Sequence, residues 1–281
     1  LKEYDLIISS ESGPSKGFNR NNNSMHVCYC HSPMRYLWDL SFEYNKKFNF
    51  LEKMVSKLIF PFLRMWDVKT AKDIDLIIAN SNFVSNRISN CWKQSSKVIH
   101  PSINYSEFSI SDNIDDYYLV LSRHVPYKKI DIVIEAFNTN NKKVIIIGDG
   151  PELEGLKRMT KSKNIIFLDW LDNKTKKKYL SECKALLFPG IEDFGIVPIE
   201  AMASGRPVIA YKKGGAMDYI KNNINGLFFC EQSPESLNNK ITEFENRYEE
   251  FDPILIRKSV EKFDKKYFFE KFKNEISKLL S

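Results

Sequence analysis

The chain of 281 residues has no apolar run long enough to cross a bilayer, and it shows no signal-peptide pattern. Its five cysteines (Cys28, Cys30, Cys91, Cys183, Cys230) are scattered and include no Cys-x-x-Cys pair. No disulfide framework is indicated, so a reducing, cytoplasmic setting is expected. Strong charge bias is missing too: the net charge is +6 and the pI near 8.8. That falls short of a dedicated nucleic-acid binder and suits anionic small ligands or the anionic inner face of a membrane. The dinucleotide fingerprint Gly-x-Gly-x-x-Gly is absent, Gly148-Asp149-Gly150 being only a fragment of it. Cys28, Cys30 and His31 lack a second ligand pair, and alternation along a strand sends Cys28 and Cys30 to one face and His31 toward the other. No metal is expected. Asp73-x-Asp75 flanks the start of a buried strand, an ordinary place for aspartate.

What the chain does have is a core. Hydrophobic residues make up 43% and aromatics 13%, enough for two compact domains. Short apolar runs at 5–9, 25–30, 73–79 and near 98–100 read as strands. Ser81 reads as the N-cap of a helix over 83–92. The polar stretch 105–116 reads as a linker. Strands at 117–121, 143–147, 164–168, 185–188, 208–210 and 227–229 then alternate with helices. Alternation of this kind builds a parallel doubly wound sheet, and it occurs twice. Two Rossmann-like domains are expected, over 1–108 and 109–262, with a C-terminal helix over 263–281 crossing back to the first. Residues 48–63 carry Phe48, Leu51, Val55, Leu58, Ile59 and Phe62 at helical spacing, with Lys46, Lys47, Lys53, Lys57 and Arg64 around them. This reads first as an amphipathic helix packed on a sheet, and alternatively as a basic face touching anionic membrane.

The chain is organised around Phe188-Pro-Gly-Ile-Glu192-Asp-Phe-Gly195-Ile-Val-Pro-Ile-Glu200-Ala-Met-Ala-Ser-Gly205. It reads as a strand, a glycine-bearing loop and a short helix. Pro198 suits the first helical position, which puts Glu200 in the first turn, and Gly205 is a natural stop. A loop that opens a helix after a strand is where α/β proteins hold anions. A second loop carries Arg123 and Lys128. Cations with a helix N-terminus can bind a diphosphate and stabilise it as it leaves. Carboxylates can accept hydrogen bonds from sugar hydroxyls. The pocket therefore complements both halves of a nucleotide sugar.

At these residues the chain resembles a known family. Ser122-Arg123, Pro126-Tyr127-Lys128, Glu135-Ala136-Phe137, Gly148-Asp149-Gly150-Pro151 and the stretch from Glu192 to Val208 look like retaining glycosyltransferases of family four, with the GT-B fold. In that fold two Rossmann-like domains face a cleft. The likeness covers 117–229 closely, with several motifs in order. Cys28-Tyr-Cys-His31-Ser-Pro-Met-Arg-Tyr36-Leu-Trp38-Asp39 resembles more narrowly the bacterial mannosyltransferases of O-antigen and capsule assembly, which use GDP-mannose.

The resemblance implies roles. Arg123 and Lys128 would hold the donor diphosphate. Glu192 would meet the donor sugar, helped by the N–H groups of Phe194 and Gly195, while those of Ile196 and Val197 face phosphate. Glu200 would bind ribose, and Leu171 would lie beside the base through its backbone. Retention would be a same-face displacement without a protein nucleophile or a metal. The acceptor would be a lipid-linked saccharide, met in the cytoplasm or peripherally at the inner face of the plasma membrane. Two departures stand out. The first domain looks truncated at its N-terminus, without the glycine-rich loop of relatives. The loop over 10–17 holds Ser12 and Lys16 where relatives often have histidine, which leaves His31 as the acceptor-side candidate. A UDP- or dTDP-sugar donor, or a nucleotide-sugar-binding remnant without turnover, are the alternatives.

Overall fold

A computed structural model of the chain describes residues 4–21, 23–38 and 49–280. Phe48, Asp39, Lys46 and Lys47, used above, lie outside the described residues. The chain divides into two compact units, Leu1–His100 with Phe268–Ser281, and Pro101–Tyr267. Each is an α/β unit built on a parallel sheet.

The first unit has four strands: β1 (Leu6–Glu11), β2 (Met25–Cys30), β3 (Leu76–Ala79) and β4 (Lys97–Val98), in spatial order 1-2-3-4. Alternation along β2 divides the core. Cys28 and Cys30 join Ile77, Ala79, Ile88 and Trp92 on one face, and Val27 and Tyr29 join Ile78 and Ile99 on the other. Helix α1 (Phe50–Lys72) and helix α2 (Asn82–Trp92) follow β2 and β3. The Ser81 side chain caps α2 by accepting from Val84 N. Asp73 and Asp75 are structural: Asp75 accepts from His26 N at 2.7 Å and pairs with Arg20, which also donates to Asp73 O at 2.6 Å.

Helix α1 departs from expectation in length and in facing. It runs nine residues past 63, opened by a capping box between Asn49 and Glu52. Val55, Leu58, Ile59 and Phe62, expected to pack on a sheet, are exposed. The helix packs instead through Ser56, Asp67 and Ala71. Asp67 accepts from Trp38 Nε1 at 2.9 Å and Trp92 Nε1 at 2.7 Å, and pairs with buried Lys16. Lys16 also lies 3.6 Å from Glu11. The loop after β1 is therefore tied inward rather than offered to a ligand.

The second unit has six strands: β5 (Tyr118–Leu121), β6 (Val144–Ile147), β7 (Ile165–Leu168), β8 (Ala185–Phe188), β9 (Val208–Tyr211) and β10 (Gly226–Phe229), in order 10-9-8-5-6-7, all parallel. β5, β6, β8 and β10 are buried along their whole length, as strands covered on both faces must be. Helices α3 (Ile130–Thr139), α4 (Leu153–Met159), α5 (Asn173–Glu182), α6 (Ile196–Ala203), α7 (Pro234–Asn246) and α8 (Pro253–Ser259) supply the cover. The polar stretch after His100 belongs to this unit. Ile103 N donates to Phe263 O at 2.9 Å, and the Tyr105 hydroxyl to Arg257 O at 3.2 Å. Helix α9 (Lys265–Leu280) starts in this unit and passes at Phe268 into the first, where Phe268, Phe272 and Ile276 cover the Tyr29 face.

Candidate active site

The strand order reverses between β5 and β8, and open α/β sheets bind ligands at the carboxyl ends of strands flanking such a switch point. The loops leaving these two strands are the ones that carry the expected residues. After β5, Arg123 is exposed and Lys128 ends a single 3-10 turn, Pro126–Lys128. After β8 come Pro189, Gly190 and Glu192. The loops touch directly: a Cβ on Gly190 would stand 2.8 Å from both Lys128 Cα and Tyr127 O. Lys128 Nζ forms an ion pair with Glu192, both half-buried. Each charge keeps the other from solitary burial.

Helix α6 begins at Ile196, two residues earlier than Pro198 suggests. Proline is tolerated at this third position because the first N–H groups of a helix have no internal partner. Gly195 is the N-cap at φ +87°, with no side-chain cap, so the N–H groups of Ile196 and Val197 open the helix. The same shift moves Glu200 into the second turn, away from the positive end of the helix dipole. Its electrostatic partner is instead Lys176 of α5, whose Nζ lies 3.1 and 3.3 Å from its two oxygens. Gly205 does stop the helix, at φ +76°. Gly205 N donates to Met202 O and Arg206 N to Ala201 O, both at 2.9 Å, the Schellman pattern.

Phe194 is buried against Tyr219, ring centroids 5.3 Å apart, and the Tyr219 hydroxyl donates to Phe194 O at 2.9 Å. Burial, with Glu192 nearby, pushes that hydroxyl well above the usual tyrosine range, so it stays a donor. Leu171 is half-buried against the core at the end of β7. Asp172 then caps α5 through Lys174 N and Thr175 N. His31 lies in the first unit, its Nε2 2.9 Å from Ser10 Oγ and its ring edge-on to Tyr29.

Lys176 and the Gly214-Gly215 doublet were not singled out from the sequence as parts of the site. Lys176 had no motif to mark it. Gly214 (φ +81°) and Gly215 back the Glu192 turn: Gly215 N donates to Glu192 O at 2.9 Å. The doublet was the available signal. In the Gly148-Asp149-Gly150 stretch noted in the sequence, Gly148 (φ +136°) lets the backbone of Ser122 approach and Gly150 (φ +157°) that of His124, a Cβ standing 2.1 Å from Ser122 O and 2.3 Å from His124 O respectively. His124 N donates to Asp149 O at 2.8 Å and Glu152 N to His124 O at 3.1 Å, which anchors the Arg123–Lys128 loop to its neighbour. The His124 ring is buried with neither nitrogen hydrogen-bonded among the described residues, and burial lowers its pKa.

Two Rossmann-like α/β units, each on a parallel sheet, define the class: the GT-B glycosyltransferase fold. The family model for glycosyl transferases group 1 matches residues 101–258, more than half of the chain, and the chain belongs to that family. Among curated relatives, alpha-1,3/1,6-mannosyltransferase ALG2 of Saccharomyces cerevisiae is 27% identical over 253 residues, covering 70% of this chain and 48% of its own. O-antigen chain mannosyltransferase RfbU of Salmonella typhimurium is 29% identical over 181 residues, covering 58% and 49%. The chain thus spans about half the length of these relatives. Among solved structures, sucrose-phosphate synthase of Thermosynechococcus elongatus aligns at TM-score 0.80 and 19% identity over 99% of this chain and 74% of that one.

Proposed function

We propose that the chain is a family-four, retaining hexosyltransferase that moves mannose from GDP-mannose onto a lipid-linked or polysaccharide acceptor in surface-glycan assembly. The observation that carries the transfer reading is the Lys128–Glu192 pair at the switch point; similarity to two proteins named as mannosyltransferases favours mannose. In this reading the donor divides the pair. A phosphate takes the Lys128 ammonium, joined by exposed Arg123, and a sugar hydroxyl takes the Glu192 carboxylate. The Phe194 and Gly195 N–H groups support the sugar, and those of Ile196 and Val197 face phosphate. Glu200, steadied by Lys176, holds ribose, and the Leu171 backbone lies beside the base. Charge developing on the departing diphosphate meets fixed cations and N–H dipoles, so a metal is not required. The phosphate itself receives the acceptor proton, with His31 the candidate group on the acceptor side.

Transfer of labelled mannose from GDP-mannose to a membrane extract tests this, with Glu192→Gln as control. We expect transfer that survives chelation and falls at least about a hundredfold in the variant. Tighter binding of UDP than of GDP overturns the donor assignment. Donor binding without transfer or hydrolysis overturns turnover.

A further inference from the structure

Helix α1 is inverted. Its buried positions, Ser56, Asp67 and Ala71, are polar or small. Met54, Leu58, Phe62 and Met65 follow one another at i, i+4, i+8 and i+11, on the face roughly opposite. Their exposures are 50, 67, 68 and 61%. An outward apolar stripe would ordinarily roll inward. Here it cannot, because rolling would pull Asp67 away from Lys16 and from the two indole N–H groups, taking from these donors the acceptor they share. The polar interior locks the apolar face outward.

The same helix carries Lys53, Lys57, Arg64, Lys69 and Lys72 against two carboxylates, Glu52 and the buried Asp67. None of its four lysines forms an ion pair among the described residues. At its C-terminal end a groove of about 400 Å³ is lined by Trp38, Arg64, Met65, Val68, Lys69 and Lys72, with no carboxylate among the described residues. We propose that this outward face of α1, with the Trp38 groove at its end, is a docking surface for an anionic lipid bilayer. Apolar side chains enter the acyl boundary while the cations meet phosphates. Two copies set face to face would oppose like charges, whereas anionic lipid satisfies both chemistries. No helix among the described residues is long and apolar enough to cross a membrane, so the contact is peripheral. The inference rests on the reading of a lipid-linked acceptor.

The test is flotation of the full chain with phosphatidylcholine vesicles, with and without about one-third phosphatidylglycerol, the fraction chosen for a strongly negative surface. We expect binding to the anionic vesicles, at least about tenfold weaker to the neutral ones and weakened by salt. Leu58→Ser/Phe62→Ser is expected to lower binding about a hundredfold. Lys69→Ala/Lys72→Ala is expected to lower it about twenty-five-fold. Both variants replace exposed side chains and should keep the wild-type melting temperature and GDP affinity. Wild-type protein that stays with the soluble fraction overturns the proposal, as do variants that float like wild type. So does a wild-type dimer that Leu58→Ser/Phe62→Ser dissociates. Flotation without mannosyl transfer overturns the acceptor reading alone, and transfer to a soluble acceptor without flotation overturns the surface alone.

Discussion

Gly215→Ala puts the geometry of the site to a direct test. A Cβ at Gly215 would stand 2.4 Å from both Asp193 O and Phe194 Cα, and 2.8 Å from Asp193 C. All three are backbone atoms, so no rotamer change relieves the clash. Ordinary contact begins at 3.4 Å, so the Glu192–Phe194 turn must retreat by about 1 Å. That turn holds the carboxylate assigned to the donor sugar, and Gly215 N itself donates to Glu192 O. A misplacement of about 1 Å costs on the order of a hundredfold in turnover, and overpacking costs about 1–3 kcal/mol in stability. The assay is transfer at saturating donor beside a thermal melt. Gly155→Ala is the control, because its nearest neighbour would be Arg158 Nη2 at 4.0 Å. In the interior of α4 it should stabilise by about 0.5–1 kcal/mol and leave turnover unchanged. Wild-type turnover and nucleotide affinity in Gly215→Ala would refute the assignment of this turn.

Other expectations follow from single observations. Lys176→Met removes the cation that steadies Glu200. Nucleotide affinity should fall about tenfold with kcat nearly unchanged, and an unchanged affinity would detach Glu200 from the site. His26 is buried beside Ser9, and burial, with Arg20, lowers its pKa from 6.5 to about 4. The unfolded chain therefore binds more protons below pH 6.5. Stability is intact above that value and falls by about 3 kcal/mol as the pH reaches 4; urea midpoints across this range check it, and His26→Gln should flatten the slope. Of the five thiols only Cys230 is exposed, and burial pushes Cys28 and Cys183 up to about 12. One equivalent of a thiol reagent should react with the native protein, and the other four only in denaturant.

The sequence by itself determined the α/β class, two parallel sheets, and the loops that hold Arg123, Lys128 and Glu192. Those features depend on local chemistry: apolar runs of strand length, glycine and proline at the turns, and Ser81 and Gly205 at helix ends. Periodicity also showed that α1 has an apolar face. It could not show which way that face points, because orientation depends on partners distant in the chain. Asp67 reaches Trp38, Trp92 and Lys16, so a polar cluster occupies the interior that the apolar stripe would otherwise fill. Likewise, the partnership of Glu200 with Lys176 emerges only once α5 is laid beside α6. Spacing along the chain marks which residues are chemically able to act. Only tertiary structure decided which of them neutralise one another inside and which face outward, because ion pairs and burial join residues that no local period connects.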